Sequence, residues 1–165
     1  MNSKTAIAAA ILSISASALA AGSASEPLMV NGWFASRIVG AYESKATVRV
    51  CGSAGPDFPV VNMIIFNQRG TVIATPRFPP QGANDYSRTI DIGTWSYNPR
   101  TNHYSVSLHF YGFVSGQFQG TTHVERDLQM SADGNSVTGP VHTTTYAPDG
   151  SVILEQCGTA TSTRL

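Results

Sequence analysis

Charge is scarce in this chain. Asp, Glu, Lys and Arg make up 12% of 165 residues, and ten bases balance ten acids. That balance gives no electrostatic reason to bind nucleic acid or an anionic membrane. Sustained helical periodicity is missing, which argues against a helical bundle. No serine-hydrolase elbow is present: Gly52-Ser53-Ala54-Gly55 and Gly112-Phe113-Val114-Ser115-Gly116 lack the Gly-x-Ser-x-Gly spacing. No His-x-His or His-Glu-x-x-His pair occurs, so no zinc motif is read. His103 and His109 share a strand face but sit about 20 Å apart at strand rise. These two, with His123 and His142, read as surface histidines. Glu125 and Asp127 share a solvent face rather than flanking a substrate. No Asn-x-Ser/Thr acceptor, internal repeat, low-complexity tract or linker is found.

The apolar run at residues 5–21 is short and rich in Ala and Ser. With Lys4 before it and Ala18-Leu19-Ala20 at its end, it reads as a cleaved secretory signal peptide, with Gly22-Ser23-Ala24 as a second cleavage candidate. It is a poor membrane span. The expected organisation is residues 1–24 as signal peptide and 25–165 as one domain. The protein is therefore expected in the bacterial periplasm or secreted. Cys51 and Cys157 are the only cysteines. In an oxidising compartment they are expected to form one disulfide, closing a loop of about a hundred residues and stabilising by ~4 kcal/mol. No His neighbours either cysteine in the sequence, and no metal site is expected.

The second half alternates strand-length segments with turn chemistry. Asn98-Pro99-Arg100-Thr101-Asn102, Ser131-Ala132-Asp133-Gly134-Asn135 and Ala147-Pro148-Asp149-Gly150 punctuate runs rich in Val, Ile, Thr, Tyr and Phe. Eight strands are expected: 40–51, 59–66, 71–75, 88–97, 102–113, 117–130, 135–146 and 151–164. A Pro-rich loop is expected at 76–87, with a lead-in over 25–38 holding a short helix or strand around Trp33-Phe34. Alternation puts Tyr42, Ala46, Val48 and Val50 inward in the first strand. In the fifth it puts Tyr104, Val106, Leu108 and Phe110 inward. In the sixth it puts Phe118, Gly120, Thr122, Val124, Arg126, Leu128 and Met130 inward. Both cysteines fall on the outer face, as a bridge between first and last strands requires. Those strands are neighbours if the sheet closes. The expected fold is all-β, an antiparallel up-and-down eight-stranded β-barrel, with a β-sandwich as the alternative.

Several motifs carry a resemblance over residues 38–164. They are Cys157-Gly158-Thr159-Ala160-Thr161-Ser162-Thr163-Arg164, Phe118-Gln119-Gly120-Thr121-Thr122 with Ser131-Ala132-Asp133-Gly134-Asn135-Ser136, Phe58-Pro59, and Gly93-Thr94-Trp95. Together the chain resembles small bacterial exported lipocalin-like (calycin-type) barrels, most without an assigned activity. The resemblance implies a lipocalin-like barrel in which Tyr42 and Arg164 take the closing roles of a Trp and an Arg. Gly40-Ala41-Tyr42 departs from the Gly-x-Trp of that pattern.

The expected lumen lining is Trp95, Tyr97, Tyr104, Val106, Leu108, Phe110 and Phe118, with Thr122, Arg126 and Gln156 as polar groups. A small barrel either fills with side chains or holds one ligand. Arg126 is the sharpest candidate, because an inward Arg needs an acceptor, an internal acid or an anionic head group. Three readings follow. One is a binding protein for a small, mostly hydrophobic or anionic amphipathic ligand, with no cofactor. The second is an interaction or structural protein with a filled barrel. The third is a cofactor-free cyclase of the allene oxide cyclase barrel type. No catalytic residue and no protein partner can be named from the sequence.

Overall fold

The computed structural model describes residues 33–77 and 85–165. A short helix α1 (Trp33–Ser36) precedes β1 (Gly40–Val50), β2 (Phe58–Phe66), β3 (Thr71–Pro76), β4 (Tyr86–Arg88), β5 (Asp91–Asn98), β6 (His103–Val114), β7 (Gln117–Met130), β8 (Ser136–Tyr146) and β9 (Val152–Arg164). The long strands form a continuous antiparallel ring, β1–β2–β3–β5–β6–β7–β8–β9 and back to β1. Each neighbour in space is the next long strand in sequence. This is a closed eight-stranded up-and-down barrel, and the ring rules out the sandwich alternative.

The turns form where their chemistry predicts. Asn102, the last residue of the β5–β6 turn, takes a positive φ of 58°. Ser115 and Gly116 link β6 to β7 with φ of 49° and 77°, as a two-residue hairpin turn of matching twist requires. In the β7–β8 turn the Asp133 carboxylate accepts from the amide of Asn135, and in the β8–β9 turn Asp149 accepts from that of Ser151.

One end of the barrel is shut. Ala35 and Ile38, just before β1, are buried against it. Above them an aromatic chain runs Tyr42–Phe66–Trp95–Tyr104–Tyr97, with ring centroids 4.9 to 6.4 Å apart. Arg164 closes this end from outside. It donates to the carbonyls of Arg37, Val39 and Gly134, and its guanidinium lies over the Tyr42 ring. The opposite end carries exposed apolar residues: Val50, Phe58, Tyr86, Val114, Val152 and Leu154.

Two bulges reset which side chains face inward. Between Arg88↔Gly112 and Ile92↔His109, residues 89–91 of one strand oppose only 110 and 111 of the other. Strict alternation would put Arg88 and Asp91 on opposite faces; the extra residue turns both into the barrel. In the second bulge Gly112 pairs with Gly120, but Phe113 pairs with Phe118. Gln119 is the extra residue. Phe118, expected inside, is thereby turned outward and is 44% exposed. Gly120 enables the bulge: its φ is 137°, and a Cβ there would meet the Tyr146 carbonyl.

The signal peptide expected at residues 1–24 lies outside the described residues, as does most of the loop expected at 76–87. Among the described residues no helix is long and apolar enough to cross a membrane. Together with the disulfide, that is compatible with an exported protein.

Candidate functional site

The barrel interior is layered. Toward the closed end it is lined by buried apolar and aromatic side chains. At the middle lies a buried polar layer of Ser44, Asn62, Asp91, Arg126 and Ser162, with Arg88 beside it. β1, β2, β5, β7 and β9 each supply an inward position at this depth, and the first bulge adds Arg88.

Charges in this layer do not cancel. Arg126 is 5% exposed and donates to the Ser44 hydroxyl at 2.8 Å. Arg88 approaches the Asp91 carboxylate at 3.2 Å and lies 3.9 Å from the centre of the Phe110 ring. Among the described residues Asp91 is the one buried carboxylate facing these two guanidinium groups. The Nε of Arg88, the Nε of Arg126, the Oδ1 atoms of Asn62 and Asp91 and the Ser162 hydroxyl have no hydrogen-bond partner. Unpaired buried polar groups are costly and need an explanation.

Burial and charge act on the same groups. Burial pushes Arg126 down to about 10, more than the attraction of Asp91 lifts it, and the nearby Arg88 depresses it further. Burial likewise lowers Arg88, with Asp91 opposing. Burial raises Asp91 to about 6, although both arginines pull it down. Each group is poorly solvated, and the layer holds one positive charge more than its acid neutralises when Asp91 is ionised.

The expected lining separates into two sets. Trp95, Tyr97, Tyr104 and Leu108 belong to the packed closed half. Trp95 donates through Nε1 to the Asn67 carbonyl, and Tyr97 donates to the Asn102 side chain. Burial raises the Tyr104 phenol to about 12. Phe110, Thr122, Arg126 and Gln156 belong to the polar layer and the open half. There the Thr122 and Thr145 hydroxyls meet at 3.0 Å, and the Thr143 hydroxyl donates to the Gln156 carbonyl. The walls above the polar layer are small: Ala46, Val48, Gly158, Ala160 and Thr143. Phe118 has left the lumen. Outside, it packs on Tyr111 and Phe113 and lines an open groove of about 300 Å³ with Thr121, His123 and Tyr146.

Sequence alternation missed Arg88 and Asp91. Their three-residue spacing conceals a shared face, and only the cross-strand register exposes the bulge. It also missed two outer-face neighbours. His109 and His123 oppose each other, with rings 5.8 Å apart. Cys51 and Cys157 form the disulfide, and His142 of β8 lies opposite Cys157.

No protein-family model matches this chain, and no curated protein sequence does. Among solved structures, one described as the crystal structure of Rv2717c from M. tuberculosis matches with a TM-score of 0.40 and 10% identity, over 79% of this chain and 94% of that one. A likeness at that level supports no functional inference. None of these comparisons assigns the chain to the family its motifs resemble.

Proposed function

We propose that the open half of the barrel binds one small amphipathic anion, with its head group on Arg126 and Arg88 and its apolar part toward the mouth. One observation carries this reading: the buried Arg126 and the nearly buried Arg88 face a single buried carboxylate, Asp91, which pairs with Arg88 alone, and each guanidinium retains an unpaired Nε. An anionic head group would neutralise the excess charge and accept those hydrogen bonds, which are strong when both partners are ionised. The walls suit the apolar part, because Phe110, Val48 and Ala46 line the approach with small threonines and Gln156. Export through the leader at residues 1–24 fits a carrier or sensor working outside the cytoplasm.

A second reading, an interaction protein, draws on the exposed rim of Val50, Phe58, Tyr86, Val114 and Val152 and the groove at Phe118. A pair of probes separates the two. An anilinonaphthalene sulfonate and an uncharged naphthylamine of similar size are titrated against the full chain. Lumen binding predicts saturable one-to-one uptake of the sulfonate, at least tenfold tighter than the neutral dye. Equal, weak and non-saturating uptake of both would favour the rim and set the anion site aside.

A further inference from the structure

The disulfide lies on the outer wall where β1, β8 and β9 meet, away from the polar layer. Cys157 is on β9, and Cys51 is the first residue after β1. The register sets His142 of β8 opposite Cys157 and Thr144 opposite Glu155. The Nε2 of His142 is 3.8 Å from a Glu155 carboxylate oxygen. The ligand atoms of Cys51, His142 and Cys157 all lie within 4.8 Å of one another.

Those spacings suit a metal ion. Zinc–sulfur bonds of about 2.3 Å and zinc–nitrogen bonds of about 2.0 Å put neighbouring ligands of a tetrahedron roughly 3.5–3.8 Å apart. His142 stands 3.8 Å from Glu155, and one of its ring nitrogens lies within 4.8 Å of both sulfurs, so about an ångström of adjustment closes the tetrahedron. Only the two sulfurs are too close, because they are bonded. Cys51 is free of the strand ladder on its far side, in a turn where Gly52 takes a φ of 72°. Its amide donates to the Glu155 carbonyl at 3.0 Å. That hydrogen bond holds the two segments together once the sulfur–sulfur bond is cut, while rotation at Cys51 supplies the needed separation. The His142 side chain is 41% exposed and that of Glu155 54%, so solvent, reductant and metal reach the site.

We infer that reduction of Cys51–Cys157 opens a divalent-metal site of two thiolates and the His142 imidazole, with Glu155 as fourth ligand, and that zinc is its best-fitting ion. A dithiol reductant supplies two electrons and two protons. The sulfur–sulfur bond breaks, two thiols form on this chain, and the reductant leaves as its own disulfide. Metal binding then releases the two thiol protons to solvent. His142 binds as neutral imidazole through Nε2. Soft thiolates with one imidazole select zinc over magnesium or calcium. The oxidised wall has no thiolate to offer, so redox state gates metal uptake.

The test uses the full chain, with cobalt(II) as the spectroscopic stand-in for zinc. A phosphine reductant opens the disulfide without adding competing thiols. Reduced protein is expected to bind one cobalt per chain, with thiolate-to-cobalt charge-transfer absorption and intense tetrahedral d–d bands, bleached by added zinc. Oxidised protein is expected to show neither. Reduced His142→Ala is expected to bind at least tenfold more weakly, and Cys51→Ser/Cys157→Ser to lack the charge-transfer band. The inference is overturned if reduced wild type shows no such band, or if His142→Ala binds equally well. It is equally overturned if near-ultraviolet circular dichroism collapses on reduction even with metal present, because the site then does not survive its own opening.

Discussion

The guanidinium of Arg164 lies 4.8 Å from the centre of the Tyr42 ring and ties the end of the last strand to the start of the first. The same group donates to three backbone carbonyls, those of Arg37, Val39 and Gly134. Gly40 leaves room for it: its φ is 143°, and a Cβ there would run into an Arg164 guanidinium nitrogen. Arg164→Ala is expected to lower stability by about 2–3 kcal/mol, from the lost ring contact and the charged hydrogen bonds. Arg164→Lys rescues little, since one ammonium cannot hold that spread of acceptors. Urea denaturation of both variants checks this. An unchanged midpoint would mean that the closed end stands without its clasp.

Phe118 offers a sharp test of the second bulge. On the outer face it is expected to tolerate Phe118→Ser with a change within about 1 kcal/mol. Phe110→Ala, two-thirds of the way along β6 and 9% exposed, is expected to cost about 3 kcal/mol. Comparable losses at both positions would place Phe118 back inside the barrel.

Most of the fold was legible in the sequence, because barrel strands announce themselves by alternation and turn residues. The Asn102, Gly134 and Gly150 turns, the strand lengths and the inward row from Thr122 to Met130 all follow from local pattern. So did the pairing of Cys51 with Cys157, which needs only parity and closure. The errors sit at the bulges. One inserted residue shifts parity by one, which expelled Phe118 and admitted Arg88 beside Asp91. A bulge leaves a faint local mark, a glycine such as Gly120, and otherwise exists only in the pairing of two strands. His142 beside Cys157 was hidden for the same reason: they are fifteen residues apart and meet only across β8 and β9.

Asp91 gives the anion site a pH dependence whose sign can be worked out. Burial raises its folded value to about 6, above the ordinary 3.8. The folded state therefore holds this proton more tightly than the unfolded chain does. Its contribution to stability is full below about pH 4 and fades as pH rises through about 6. Asp91→Asn is expected to lose that dependence, seen as a difference in denaturation midpoints between pH 4 and 7. Protonation also removes the acid that competes for the arginines. A sulfonate probe, ionised throughout, is expected to bind more tightly at pH 5 than at pH 7.5 in wild type and equally at both in Asp91→Asn. Tighter binding at the higher pH would contradict the placement of Asp91 against the anion.

The anion site is tested most directly by Arg126→Met, read for binding and stability in the same sample. Arg126 is buried with more positive charge around it than acid to balance it. Replacing a poorly compensated buried ion by an apolar side chain of similar shape is often neutral or stabilising, by about 1–4 kcal/mol. The variant is expected to be as stable as wild type or more so, and to bind the sulfonate probe at least tenfold more weakly. A variant that is strongly destabilised while keeping full probe affinity would show Arg126 to be a strut of the barrel and not the seat of an anion.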